Sequence, residues 1–346
     1  MLLFSGMGMV RHRPALPVIV LFVAGIVFGA VASTLFWYSI NFADSSVSRR
    51  NFDSMQPAEK HDISSLLYKN VKVFCWIMSG KFNRSMYVEQ TWVKRCNKYI
   101  FVTSKPFKNL SSVVVDVPDG RDYLWAKTKA AFKHIYDHED YLNYDWFLKA
   151  DDDTYVIMEN LRYMLLPYSA NDPLYLGSRI KTSLSKGYNS GGAGYVLSRK
   201  ALTEFVTQSL PYSEKCNQDH SGDEDVEMGK CMESLSIYPI DTRDGKNGHR
   251  FMVDTPGRFL DFDPSFLFYH YTYYPMEKGF NGFSKYSVSF HYVDPKLMLT
   301  LEYLLYYAEV YGRAASISNT DAIELSKIVN QSMRDVGKES ILLSLH

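Results

Sequence analysis

Apolar positions fall into three regimes along the chain. From about Ala15 to Ile40 they are nearly continuous, and no charged residue interrupts them. From 41 to 70 the chain is polar, with Ser45-Ser46, Arg49-Arg50 and Pro57, and no clean period appears until near Leu66. From Val71 onward, short apolar runs alternate with amphipathic stretches. Val71–Ile77, Tyr99–Val102, Val113–Val117 and Trp146–Leu148 read as strands, being short apolar runs bounded by polar residues. Met86–Arg95, Asp122–His138 and Ile157–Leu166 read as helices. This alternation predicts an α/β domain with a largely parallel sheet. The second half is less regular. A strand is expected at Ala193–Leu197, helices from Lys200 and over Glu224–Leu235, and an alternating strand over Ser287–Val293. Phe266–Tyr274 is rich in aromatic residues, and the tail after about Gly312 is polar, with an amphipathic helix expected around Ala322–Met333. No repeat of fixed period is visible.

The first regime suits a membrane. A bilayer core needs roughly 20 apolar residues as helix. Arg11 and Arg13 precede the stretch, and Trp37-Tyr38 ends it, which favours a cytoplasmic N-terminus and an aromatic far interface. The competing readings are a cleaved signal peptide, whose apolar part spans only about 7–15 residues, and a buried core helix. The expected organisation is a cytoplasmic tail over 1–14, a transmembrane signal anchor over 15–40, a stem over 41–70, a luminal domain over 71–311 and a polar tail over 312–346.

Composition narrows the classes. The 346 residues are 46% hydrophobic and 15% aromatic, which excludes a mostly disordered chain. Basic and acidic residues number 38 each, so no nucleic-acid partner is implied. The four cysteines, Cys75, Cys96, Cys216 and Cys231, all follow the apolar stretch. An even number beyond a signal anchor suggests two disulfides. Three pairings exist; short loops favour Cys75–Cys96 and Cys216–Cys231, and free buried thiols are the alternative. Asn83, Asn109 and Asn330 each open an Asn-x-Ser glycosylation pattern.

Candidate chemistry centres on Asp151-Asp152-Asp153, which directly follows the strand at Trp146–Leu148. Ligands of open α/β sheets bind outside the carboxyl ends of strands. Alternate residues of an extended segment share a face, so Asp151 and Asp153 can point together. Three adjacent carboxylates repel one another, and a divalent ion with a diphosphate relieves that repulsion. The competing reading is a helix cap or a solvated acidic turn. His291, within Val288–Val293, can complete a metal site; beside carboxylates an imidazole favours Mn²⁺ over Mg²⁺, although a histidine in an aromatic strand is more often structural. Ser190–Gly194, Ser-Gly-Gly-Ala-Gly, lets backbone approach a ligand or simply turns the chain. Glu224-Asp225 opens a predicted helix, where carboxylates serve either as dipole partners or as a general base.

Together these residues resemble a known family. Trp146–Ile157, Gly187–Leu197, Glu224-Asp225 and Val288–Asp294 look like the corresponding segments of the core 1 β1,3-galactosyltransferases, within the β1,3-glycosyltransferase family of type II Golgi membrane proteins. The likeness covers about Val71 to Tyr311, with the motifs in the family's order. It implies a GT-A type glycosyltransferase fold and inverting transfer of galactose from UDP-galactose to O3 of GalNAc on Ser or Thr of glycoproteins. By resemblance Asp153 and His291 hold Mn²⁺, Asp225 is the general base, and Asp151 contacts the uridine side of the donor. Asp152 belongs to the same motif. Met78, Gly120, Arg121 and Lys127 would lie near the nucleotide, Gly191 and Gly192 would line the sugar cleft, and Tyr292 would stand beside the donor. Glu224, Tyr269 and Tyr271 are acceptor-side candidates. The resemblance leaves room for a homodimer.

The chain also departs from that family. The family's adjacent cysteine pair before the metal histidine is missing from Phe280–Tyr286. Leu267 and Tyr269 stand where tryptophan is expected in the acceptor segment. Aromatic faces commonly hold sugar rings, so a related transferase with another acceptor or donor sugar is the second reading. A non-catalytic chaperone-like relative is the third; such a relative lacks the aspartate motif, whereas Asp151, Asp153, Asp225 and His291 are all present here.

Overall fold

A computed structural model describes residues 62–261 and 268–310. The expected anchor, most of the stem, the polar tail, Asn330 and Leu267 lie outside the described residues. Among the described residues no helix is long and apolar enough to cross a membrane.

Twelve short strands follow in chain order: β1 (Val73–Met78), β2 (Lys98–Thr103), β3 (Ser112–Val114), β4 (Trp146–Asp151), β5 (Tyr155–Val156), β6 (Tyr175–Gly177), β7 (Arg179–Ile180), β8 (Tyr188–Asn189), β9 (Tyr195–Ser198), β10 (Pro239–Ile240), β11 (Phe251–Met252) and β12 (Ser289–Phe290). The main sheet has the order β10-β6-β9-β4-β1-β2-β3. Every neighbouring pair is parallel except the two made by β9 with β4 and β6. This is the mixed α/β, mostly parallel architecture that the alternation of runs predicts. Met78 pairs with Asp151, so the carboxyl ends of β1 and β4 lie level.

The helices are α1 (Asp62–Asn70), α2 (Phe82–Gln90), α3 (Leu124–His138), α4 (Met158–Leu165), α5 (Arg199–Glu204), α6 (Glu224–Glu233), α7 (Pro256–Leu260), α8 (Phe268–Tyr271) and α9 (Pro295–Tyr306). Both faces of the sheet are covered. Val73, Cys75 and Ile77 pack with Trp146, Leu148 and residues of α4, while Phe74 and Trp76 pack with Phe147 and with Trp125, Phe132 and Ile135 of α3. Burial on both faces is why β1 reads as a continuous apolar run.

Three expectations are corrected, and one helix is added. The stem does not reach 70, because α1 buries Leu67 in the core beside α4, and its periodicity begins with Ile63 rather than near Leu66. The helix expected over Met86–Arg95 starts at Phe82 and stops at Gln90, where the Thr91 hydroxyl donates to the Tyr87 carbonyl and the chain tightens into a 3₁₀ turn. The strand expected over Ser287–Val293 is regular only at Ser289–Phe290, with single backbone bonds on either side at Val288 and Val293. α9 was not anticipated, although Asp294 caps it by accepting from Leu297 N–H at 2.8 Å and Pro295 opens it, a legible start signal. α9 is docked by the buried Glu302, which accepts from Arg95 at 3.0 Å and from the Tyr155 hydroxyl at 2.7 Å.

Both short-loop disulfides are present, and no described cysteine is free. Cys75–Cys96 ties β1 to the turn before β2; Cys216–Cys231 ties a loop to α6. Peptide mapping without reduction is expected to recover these two pairs. Replacing Cys216 and Cys231 together by alanine is expected to lower stability by about 2–4 kcal/mol in urea unfolding. An unchanged midpoint would show that the bridge constrains nothing.

Candidate active site

β4 delivers the acidic triplet to the sheet's carboxyl edge, and each carboxylate there has its own partner. Asp152 turns away from the metal side; its Oδ2 accepts from the backbone N–H groups of Gly80 and Lys81 at 3.0 and 3.1 Å. It thereby fixes the chain entering α2, a structural task beside its place on the cleft wall. Asp151 Oδ1 accepts from Lys149 Nζ at 2.6 Å. Lys149 and Asp151 share a strand face, the charged continuation of Phe147. Asp153 stands between Arg84, at 2.6 Å from its Oδ2, and His291, at 3.3 Å from its Oδ1. Burial pushes the Asp153 carboxyl up, but His291 and Arg84 outweigh it and hold the group below the usual carboxylate range.

His291 arrives because β12 runs antiparallel to β5, with Phe290 opposite Tyr155. The pairing continues past the strand, where Val293 N–H donates to the Asp153 carbonyl at 2.9 Å. Asp151, Asp153 and His291 offer ligand atoms all within 4.8 Å of one another. His291 Nδ1 lies 3.3 Å from the Val253 carbonyl. Nε2 of the same ring faces Asp153 Oδ1, so both atoms border the space that a cation would take. Cis ligands of an octahedral ion with bonds of about 2.1 Å stand about 3 Å apart. The Asp153–His291 spacing of 3.3 Å suits such a pair, and Asp151 offers a third ligand atom within 4.8 Å.

Ser190–Gly194 packs behind this trio. A Cβ on Gly192 would lie 2.0–2.5 Å from three atoms of the His291 ring, and one on Gly191 would lie 2.5 Å from Glu224 Oε2. Only glycine fits either place. The Thr154 hydroxyl donates to the Gly192 carbonyl at 2.8 Å, and Lys149 Nζ donates to the Gly191 carbonyl at 3.1 Å.

α6 supplies the adjacent acids. Glu224 faces inward and accepts from the hydroxyls of Thr128 at 2.8 Å and Tyr195 at 2.7 Å, with Lys149 3.5 Å from its other oxygen. Its oxygens are thus engaged by the interior network, at the edge of the cleft that it also lines. Asp225 accepts from Gly191 N–H at 3.0 Å. Burial and the neighbouring Glu224 charge push its carboxyl up to about 6.

One cleft of about 1070 Å³ joins these groups. Met78, Gly120, Arg121, Lys127, Asp151, Asp152, Asp153, Gly191, Gly192, Glu224, Asp225, His291 and Tyr292 all line it. Lys127 is buried, with its ammonium 3.1 Å from Asp119 and 3.5 Å from the Ser79 carbonyl. Tyr292 is exposed, stacks on His291 at 3.9 Å and holds a positive φ of 53°, an unusual backbone state for a non-glycine residue. Tyr269 and Tyr271 do not line the cleft: Tyr269 packs edge-on against Phe259, and Tyr271 is exposed. Asn83 and Asn109 are both exposed, although the hydroxyl of Ser85 in the first pattern is buried against Ser79. Sequence reasoning missed Lys149, Arg84, Asp119 and Asp254 on the cleft wall. Lys149 had a signal, a lone cation inside an otherwise apolar strand; Arg84 had none.

Residues 79–244 match the Fringe-like family model. A glycoprotein-N-acetylgalactosamine 3-beta-galactosyltransferase 1 from Xenopus laevis is 39% identical over 262 residues, covering 73% of this chain and 71% of that protein. A beta-1,3-glucosyltransferase from Mus musculus is 26% identical over 43% of this chain and 30% of its own length. Human chondroitin sulfate synthase 3 is 30% identical over 43% of this chain and 19% of its own. With a Fringe-like segment spanning the triplet, the glycine loop and Asp225, and with that extended identity, this chain belongs to the glycoprotein-N-acetylgalactosamine 3-beta-galactosyltransferase family.

Proposed function

We propose that this chain is an inverting glycosyltransferase with a GT-A type fold, which moves galactose from UDP-galactose to O3 of GalNAc on Ser or Thr of glycoproteins. The observation that carries this reading is the single cleft in which a metal-competent Asp151–Asp153–His291 group and a separate basic carboxylate, Asp225, are held by one glycine loop. A bound Mn²⁺ would neutralise charge on the departing diphosphate. Asp153 and His291 are the residues to hold it, with Asp151 on the uridine side and steadied by Lys149. Asp225 takes the proton of the acceptor hydroxyl, which attacks the anomeric carbon from the side opposite UDP. No covalent sugar–protein intermediate is needed. Gly191 N–H holds one Asp225 oxygen and so aims the carboxylate.

The same reading places the protein in the Golgi membrane as a single-pass type II protein, anchored by 15–40 with its catalytic domain in the lumen. Two disulfides suit that oxidising compartment. The deciding assay presents purified protein with UDP-galactose, Mn²⁺ and a GalNAc-bearing peptide, beside free GalNAc and other UDP-sugars. Transfer from a different UDP-sugar, or to a different acceptor, would replace this donor or acceptor assignment; no transfer at all would end the enzyme reading.

Two predictions follow from the geometry. Asp153→Ala and His291→Ala are expected to weaken Mn²⁺ binding in calorimetry and to abolish Mn²⁺-dependent transfer, with melting temperatures near wild type. Full activity in either variant would remove that residue from the site.

The second concerns the base. Asp225 must be ionised to act, so kcat/KM for the acceptor should fall as pH drops through about 6. A flat profile down to pH 5 would exclude it. Its raised pKa also means that the fold disfavours the ionised form, so stability declines as pH rises through about 6. Asp225→Asn is therefore expected to melt at or above wild type at pH 7.5, while turnover falls roughly 10²–10⁴-fold.

A further inference from the structure

Arg84 lies outside every role given so far. It sits in the first turn of α2, whose entry Asp152 fixes through the Gly80 and Lys81 N–H groups. That capping sets the guanidinium over the triplet, 2.6 Å from Asp153 Oδ2 and 3.7 Å from Asp152 Oδ1. Asp153 thus divides its oxygens between two cationic or metal-binding partners, Arg84 on Oδ2 and His291 on Oδ1.

The other buried cations of the cleft are held in place. Lys149 is bound by Asp151 and the Gly191 carbonyl, and Lys127 by Asp119 and the Ser79 carbonyl. Arg84 differs: its side chain is 38% exposed, it lines the cleft, and its ion pairs among the described residues are with the two carboxylates. A divalent ion on Asp153 and His291 sets a second cation on the carboxylate that Arg84 already holds, and like charges raise the cost of that sharing. The guanidinium is the partner free to turn. Its planar fork of donors matches phosphate oxygens in a way a lysine does not.

We propose that Arg84 binds the diphosphate of the nucleotide sugar beside the metal, giving up Asp153 to the ion and taking phosphate oxygens instead. This rests on the transferase reading above. It makes Arg84 a donor-binding residue with two opposite effects. The guanidinium opposes the ion when no nucleotide is present, and it strengthens nucleotide binding when the ion is present. An ion pair that served only to brace α2 would still oppose the ion, because it holds the same carboxylate, but its loss would leave nucleotide binding unchanged.

The test is calorimetry on the full chain in detergent, with Mn²⁺ alone and then with UDP at saturating Mn²⁺. Arg84→Gln is expected to bind Mn²⁺ about three- to tenfold more tightly than wild type and to bind UDP about tenfold or more weakly. Arg84→Lys keeps the charge and should leave Mn²⁺ affinity near wild type, while restoring only part of the UDP affinity. Thermal melting of each variant, expected within a few degrees of wild type, guards against misfolding. An Arg84→Gln protein that binds UDP within about twofold of wild type, or binds Mn²⁺ no more tightly, overturns the proposal. If wild type itself binds no UDP with Mn²⁺, the transferase reading falls and Arg84 with it. If wild type binds UDP and Arg84→Gln binds it equally, only the role of Arg84 falls.

Discussion

Five residues of backbone, Ser190 to Gly194, hold the chemistry of the cleft together. Gly191 gives its N–H to Asp225 and its carbonyl to Lys149, which in turn grips Asp151. Gly192 gives its carbonyl to Thr154 and its bare Cα face to the His291 ring. Ala193 gives its carbonyl to the Ser289 hydroxyl on β12, the strand that carries His291. Metal arm and base arm come from distant parts of the chain, and both are referenced to this one segment. A side chain at Gly191 or Gly192 would displace Glu224 or His291, so the absence of Cβ atoms is what allows the arms to converge.

Around that segment the fold resolves a concentration of negative charge without neutralising it alike at every point. Asp152 is satisfied by backbone N–H groups, Asp151 by a buried ammonium, and Asp153 by a half-exposed guanidinium and an imidazole. The first two arrangements are fixed and interior, which suits positioning. The third is open to the cleft, which suits exchange with an ion. Glu224 sits at the junction of Lys149, Thr128 and Tyr195, and its charge beside Asp225 helps to keep that carboxyl basic. Buried polar networks of this kind cost stability unless every member is partnered, and Asp225, the member whose ionised form is disfavoured, accepts from Gly191 and Val226 N–H groups.

Much of this was legible in the chain. The strand runs at Val71–Ile77 and Trp146–Leu148 are apolar because both faces of β1 and β4 are buried, so they announced themselves. The triplet stood out after its strand, the glycine loop and Asp225 took on roles through the family resemblance, and all three share one cleft. The short-loop cysteine pairing followed from chain entropy. The missing parts depend on contacts between distant segments. Nothing local in Phe82–Gln90 marks Arg84, whose place is set by Asp152 across the sheet edge. Nor does the helix start at Glu224-Asp225 reveal that one carboxylate turns inward while the next faces the cleft. A two-residue strand such as β5 carries no periodicity, yet its pairing with β12 is what brings His291 to Asp153.

The family relationship rests on sequence identity over most of the chain, whereas the division of labour within the cleft rests on geometry. Its centre is the claim that one divalent ion is bound by Asp153 and His291 together, on the nucleotide side of the glycine loop. Anomalous diffraction at the manganese edge, from crystals grown with Mn²⁺ and UDP, tests that claim directly. The account predicts a single strong peak bonded to both an Asp153 oxygen and His291 Nε2, adjoining the diphosphate. A peak bonded to neither residue, or UDP bound in the cleft with no peak beside it, would contradict the account.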